Sequence, residues 1–191
     1  GDPPKMSPTY PRSSAVFDLD STSVIHYVKN NLNMGIDFGG HKLGTQKNPR
    51  TKFTVGSGFE PEAADIQKEL EKLERKIDAG VDYIMTQPTF NQTVTETLQA
   101  FRNQSSFLIG VIVLNGLEHA KRMAAVPGVV IPDNVLSKIA RYDNIEDQKE
   151  AGAEIASKQI RWAREEGWSG TYLMSPASHD KIIQVLSNGI G

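Results

Sequence analysis

Apolar residues recur along this chain with two different periods, and their alternation predicts the fold. Ile66, Leu70, Leu73 and Ile77 lie at helical spacing, so the pattern predicts a helix over 63–79 with Gly80 as its terminator. A short apolar run follows at once: Asp82-Tyr83-Ile84-Met85-Thr86-Gln87-Pro88 reads as a buried parallel strand with a polar end. Pro88 has no N–H, so the ladder is expected to stop before it. Thr93 and Glu96 predict a capping box for a helix whose inward face is Val94, Leu98 and Phe101. Phe107 to Leu114 is the next strand, and Leu117, Ala120 and Met123 open another helix.

Weaker signals fill the rest. Asp20 or Ser21 can cap a short helix striped by Val24, Ile25 and Val28, and Phe53-Thr54-Val55-Gly56 reads as a strand. The glycine-rich stretch 35–51 reads as a polar loop. Val129 to Pro132 is extended, Asp133 can cap a helix through Val135, Leu136 and Ile139, and Asn144 a longer one ending near Glu166. That long helix turns Ile155, Ala156, Ile160 and Ala163 inward. Thr171 to Met174 is a strand, and Ser178 caps a final helix carrying Ile182, Ile183 and Leu186. Strands separated by helices argue for an α/β fold with a parallel sheet and right-handed crossovers. Four convincing strands fit a small open sheet or the second half of an eight-stranded barrel. The start, Gly1-Asp2-Pro3-Pro4-Lys5, looks like an interior cut and favours the half-barrel.

Composition narrows the chemistry. A chain of 191 residues supports about one domain. A net charge of -2 gives no electrostatic ground for a nucleic-acid partner or an anionic membrane surface. With no cysteine, thiolate catalysis, iron–sulfur clusters and Cys-ligated zinc are excluded within this chain, and a cytoplasmic enzyme is compatible. The longest apolar run, Phe107 to Leu114, is too short to span a bilayer. His26, His41, His119 and His179 lack metal-ligand spacing. Gly56-Ser57-Gly58 lacks the third glycine of a dinucleotide fingerprint, Pro61 standing where it belongs.

Three features can carry function. Gln87 stands at the carboxyl end of a strand, where β/α barrels keep their chemistry, although Thr-Gln-Pro could merely end the strand. Arg75 and Lys76 sit in the last turn of a helix, where cations complement the dipole or supply donors to a cofactor diphosphate. Asp2 is either a frayed terminus or a carboxylate at the end of a strand lying upstream.

Gly1-Asp2-Pro3-Pro4-Lys5, Tyr10-Pro11, Ala15-Val16-Phe17-Asp18-Leu19-Asp20-Ser21, Leu73-Glu74-Arg75-Lys76-Ile77-Asp78-Ala79-Gly80, Thr86-Gln87-Pro88 and Val126-Pro127-Gly128-Val129-Val130-Ile131-Pro132 resemble the methylenetetrahydrofolate reductase family. The Gly-Asp-Pro-Pro opening and the Phe-Asp-Leu-Asp-Ser stretch look most like reductase domains fused behind a homocysteine methyltransferase domain. The resemblance implies a TIM (β/α)8 barrel of which residues 1–191 are roughly the C-terminal half, a single FAD-dependent reductase domain. It implies that FAD takes a hydride from NAD(P)H and passes it to methylenetetrahydrofolate, giving 5-methyltetrahydrofolate in one-carbon and methionine metabolism. Asp2 matches an aspartate beside flavin and folate, and Gln87 a glutamine that contacts folate and nicotinamide. Arg75 and Lys76 match an FAD-binding pair, with Lys72 and Glu69 one turn earlier. Asp20 and Ser21 match a flavin-side segment, and His119 stands near where some members carry a substrate-side glutamine. The family's proton-donating glutamate lies on the first strand, upstream of this chain. The implied partners are the folate substrate, the missing barrel half, a methyltransferase domain and further copies in a homo-oligomer.

Two other readings compete. A non-catalytic half-barrel would expose two open sheet edges and need a partner segment. Another pterin-handling barrel, such as a folate-dependent methyltransferase domain, would bind folate without oxidising nicotinamide.

Overall fold

The computed structural model describes residues 17–45, 47–126 and 128–191. Asp2, the proline-rich opening and Pro127 therefore lie outside the described residues. The chain divides into two compact units, Gly1–Phe53 and Thr54–Gly191.

In the first unit, α1 (Ser21–Asn30) is capped by Asp20, whose Oδ1 accepts from the Ser23 N–H at 2.7 Å. Ile25 is its buried residue, whereas Val24, expected on the inward stripe, is exposed. A short 3₁₀ turn, Leu32–Met34, leads into the glycine-rich loop. Asn33 organises the end of that loop: its Oδ1 accepts from the Thr51 hydroxyl at 2.7 Å and from the Phe53 N–H at 2.9 Å.

The second unit is a four-stranded parallel sheet with helical crossovers. In chain order it comprises β1 (Gly56–Phe59), α2 (Ile66–Asp78), β2 (Tyr83–Pro88), a 3₁₀ segment (Gln92–Phe101), β3 (Ser106–Ile112), α3 (Leu117–Ala124), α4 (Asp133–Ile139), α5 (Ile145–Glu165), β4 (Gly170–Met174) and α6 (His179–Ile190). Spatial order is β1-β2-β3-β4, every pair parallel. Each strand thus lies beside its chain neighbour, without the reversal of order that marks a doubly wound sheet.

The two faces of the sheet differ. Phe59, Ile84, Phe107, Ile109 and Val111 are all at most 1% exposed and form the buried face. On that side Val111 and Val113 pack with Ala153, Ala156 and Ile160 of α5 and Val185 of α6. The other face carries Gly58, Met85, Leu108 and Gly170, which the register aligns across the strands, with Tyr172 two residues further along β4 on the same side. It is open: Gly58 is exposed and Tyr172 is 41% exposed. At and just beyond the end of β3, Ile112 and Leu114 join a second cluster with Ala120, Val129, Ile131 and Ile139.

Several boundaries differ from the sequence expectation, each for a local reason. β1 begins at Gly56 rather than Phe53, because the ladder starts at Gly56↔Tyr83; Phe59 supplies the buried anchor while Phe53 is half exposed. Before it, Val55 and Asp82 exchange two bonds, Asp82 N–H to the Val55 carbonyl at 2.8 Å and Val55 N–H to Asp82 Oδ2 at 2.7 Å. β2 does not stop at Gln87: Pro88 pairs with Gly110 after a register shift. Thr93 does not cap its helix, since Asn91 Oδ1 accepts from both the Thr93 N–H and its hydroxyl. The helix that follows is 3₁₀, with a buried stripe at Thr95, Leu98 and Phe101 that matches the threefold period. Asp133 is the first residue of α4 and makes no capping bond, Pro132 holding the cap position. Asn144 and Ser178 cap α5 and α6 as expected. Among the described residues no helix is long and apolar enough to cross a membrane.

Candidate functional site

β2 ends in a bulge, and the bulge sets the chemistry of the rim. Met85 pairs with Leu108 and Pro88 with Gly110, so three residue steps on β2 face two on β3. Within the extra length, Thr86 and Pro88 are buried and Gln87 between them is exposed. Strand alternation puts Gln87 on the side of Tyr83 and Met85, and the bulge sets how far along β3 it stands; bulges cluster near functional sites. Gln87 therefore presents its carboxamide, two donors and an acceptor, at the carboxyl end of a parallel strand.

His119 stands on the first turn of α3, past the carboxyl end of β3. Its Nδ1 accepts from the Asn115 N–H at 3.0 Å, so the imidazole is neutral and carries its proton on Nε2. Burial, and then the Arg122 charge, hold its pKa below the ordinary 6.5. The turn that places it needs Gly116 at φ 100°, a left-handed position open to glycine. Gln148 of α5 locks that turn, its Oε1 accepting from the Leu117 N–H at 3.0 Å and its Nε2 donating to the Tyr142 carbonyl at 2.8 Å.

The α2 residues separate into two groups. Glu69, Lys72 and Lys76 share one face. Glu69 is 6% exposed; its Oε2 accepts from Lys72 Nζ at 3.0 Å. Lys76 is 7% exposed, and its Nζ donates to the Gly58 carbonyl at 2.7 Å, tying α2 to β1. Burial pushes the Lys76 ammonium below its ordinary pKa, with Glu69 opposing the shift. Arg75 is exposed on another face, so the structure does not bring Arg75 and Lys76 together. Asp20 and Ser21 belong to the first unit, where Asp20 caps α1; Asp2 lies outside the described residues.

Sequence reasoning passed over Thr86, Gly110, Glu62 and Gln148. Thr86 Oγ1 accepts from the Gly110 N–H at 2.7 Å. Thr89 donates its hydroxyl to Glu62 at 2.8 Å, and Gln159 Nε2 donates to the Thr89 carbonyl at 2.7 Å, fixing the chain just beyond Gln87. A threonine inside a buried strand, and a glycine interrupting the apolar run Phe107–Leu114, were the available signals.

This singly wound parallel sheet, with an exposed carboxamide at the end of β2 and an imidazole past the end of β3, is an α/β fold. The profile of the methylenetetrahydrofolate reductase family matches residues 1–189, and the chain belongs to that family. A curated relative, the 5,10-methylenetetrahydrofolate reductase of Salmonella typhimurium (strain LT2), is 30% identical over 115 residues, covering 56% of this chain and 38% of that enzyme. The match thus spans well under half the length of that relative. An uncharacterized Clostridium thermocellum protein that binds two copies of 5-methyl-5,6,7,8-tetrahydrofolic acid shares the fold, with TM-score 0.55 and 12% identity over 90% of this chain and 58% of that one.

Proposed function

We propose that this chain supplies the folate-facing rim of an FAD-dependent reductase that converts 5,10-methylenetetrahydrofolate to 5-methyltetrahydrofolate with NAD(P)H. The observation that carries the reading is the exposed Gln87 at the carboxyl end of β2, in a chain that matches the reductase family over 1–189. The sheet is then part of a (β/α)8 ring. Its strands run β1-β2-β3-β4 without reversal, as barrel strands do, and its open face is the ring's interior.

The residues present fit a flavin. A Cβ on Gly58 would approach only the Met85 carbonyl oxygen, at 4.0 Å, so the open face around Gly58, Met85 and Leu108 is bare and suited to a flat ring. Lys72, its side chain 45% exposed, and the exposed Arg75 offer cations to a diphosphate; Lys76 acts behind them by holding α2 on β1. When bound, the flavin supplies hydride transfer between nicotinamide and folate. Gln87 holds the polar edge of a pterin through paired donor and acceptor bonds. His119, past the end of the neighbouring strand β3, offers its Nε2–H as a further donor in the place of a glutamine amide.

The test is spectroscopic. The protein mixed with FAD is expected to show a flavin spectrum that bleaches with NAD(P)H and recovers on adding methylenetetrahydrofolate. A folded protein that stays colourless in excess FAD overturns the reading. Nicotinamide oxidation separates it from a folate-dependent methyltransferase, which would bind the folate and leave the nicotinamide unchanged.

A further inference from the structure

We infer that Thr86 is a positioning residue for Gln87: its hydroxyl stands in for a ladder acceptor and holds open the bulge that presents the carboxamide at the rim. The inference rests on the folate-binding reading of Gln87 and names what holds that site in shape. Three observations converge on it. The register slips between Met85 and Pro88. The Gly110 N–H of β3 donates to a side chain, Thr86 Oγ1, in a buried setting where an amide without an acceptor is strongly disfavoured. A Cβ on Gly110 would collide with the Thr86 carbonyl oxygen and come within 2.8 Å of the Gln87 carbonyl group, so β3 is cut back to glycine where β2 bulges.

Thr86 is itself 2% exposed and cannot reach a ligand at the rim. Its effect passes through the backbone to the next residue. Removing the hydroxyl removes the acceptor that makes the extra β2 residue tolerable. The strand then relaxes toward the regular register that Met85↔Leu108 sets, in which Gln87 rather than Pro88 would stand opposite Gly110. Its carboxamide would move along β3 by one residue and leave its place at the rim.

The experiment uses the full chain, with Thr86→Val as the near-isosteric loss of the hydroxyl and Thr86→Ser as its conservative rescue. The Gly110 amide of the unaltered protein is expected to exchange with solvent as slowly as its ladder neighbours. Exchange at the rate of an open loop amide overturns the proposal without any variant. In Thr86→Val the backbone NMR shifts of Gln87 move and Gly110 loses protection, while Thr86→Ser keeps both. With 5-methyltetrahydrofolate as the probe, Thr86→Val weakens binding about tenfold, the scale of one lost hydrogen bond. It has no further effect in a Gln87→Ala background, because it acts only through that side chain. Additive losses, or unmoved Gln87 shifts in Thr86→Val, overturn the assignment. If the unaltered protein binds no folate, the functional reading fails, and exchange and shifts alone still decide whether Thr86 holds Gln87.

Discussion

The two ends of the sheet spend similar polar groups in opposite ways. At the amino end, Arg102 donates through Nη2 to the Glu166 and Gly167 carbonyls and through Nη1 to Gln99 Oε1, while its guanidinium lies 4.3 Å over the Trp168 ring. Trp168 meets Phe107 edge-on at 6.1 Å, and Ser169 Oγ accepts from the Phe107 N–H at 3.2 Å. Arg102 and Ser169 thus spend these bonds on the protein itself, while the buried Trp168 Nε1–H finds no partner among the described residues. At the carboxyl end the buried Gly110–Thr86 bond lies beside the exposed Gln87, and the part-buried Asn115–His119 bond leaves the imidazole Nε2 free of that contact. A polar cluster therefore marks function by where its remaining valences point, which a count of charged and amide residues does not reveal.

The comparison breaks most severely at Gly110. Gly110→Ala drives a methyl group into the β2 carbonyls at the bulge, where both partners are backbone and neither can swing aside. Overpacking of a packed interior typically costs about 1–3 kcal/mol and occasionally more, and a methyl group facing unyielding backbone on both sides belongs at the upper end. Urea denaturation should show a large loss of stability together with loss of ligand binding. A variant as stable as the parent would mean that the close approach at the bulge is absent.

Two substitutions separate the ends more finely. Arg102→Ala removes a partner from three acceptors and the cation over Trp168, and should lower stability by about 1–3 kcal/mol while leaving folate affinity unchanged. Gln87→Ala should leave stability within about 0.5 kcal/mol, as an exposed position does. It should weaken 5-methyltetrahydrofolate binding by about tenfold or more. Equilibrium unfolding and calorimetric titration of both variants give the result. If Arg102→Ala weakens binding as much as Gln87→Ala does, the division of labour between the ends is wrong.

The sequence carried the helices and the parallel sheet because their signals are local and repeated. The α2 stripe, the Asn144 and Ser178 caps and the apolar β3 run each depend on residues a few positions apart. It also pointed to Gln87, a polar residue ending an apolar strand. The bulge was illegible because it belongs to a pairing between residues about two dozen positions apart, and nothing in either strand alone demands it. The same holds for Lys76. Its place in a last helical turn suggested a dipole or diphosphate role, and only the tertiary structure shows its ammonium spanning to Gly58. The 3₁₀ segment was missed for a related reason. A stripe at 95, 98 and 101 passes for a helical face until burial shows the strict threefold repeat.

The smallest expected effect concerns the charge on His119. In the fold its Nδ1 is occupied as an acceptor, burial disfavours the imidazolium, Arg122 repels it, and the amino end of α3 adds a partial positive charge. The folded pKa therefore lies below the ordinary 6.5. Above that value both states are neutral and His119 contributes no slope. As pH falls through it, the unfolded chain takes up a proton that the folded one refuses, so stability declines until the folded pKa is passed. His119→Gln removes this step and keeps a side chain able to accept from the Asn115 N–H. Urea midpoints of the parent and this variant, compared at about pH 7.5 and about pH 5.5, bracket the ordinary histidine range. The parent should lose more stability on acidification than the variant. Equal losses would show that the imidazole is not held neutral at the rim, and would remove the ground for assigning its Nε2–H as a donor to substrate.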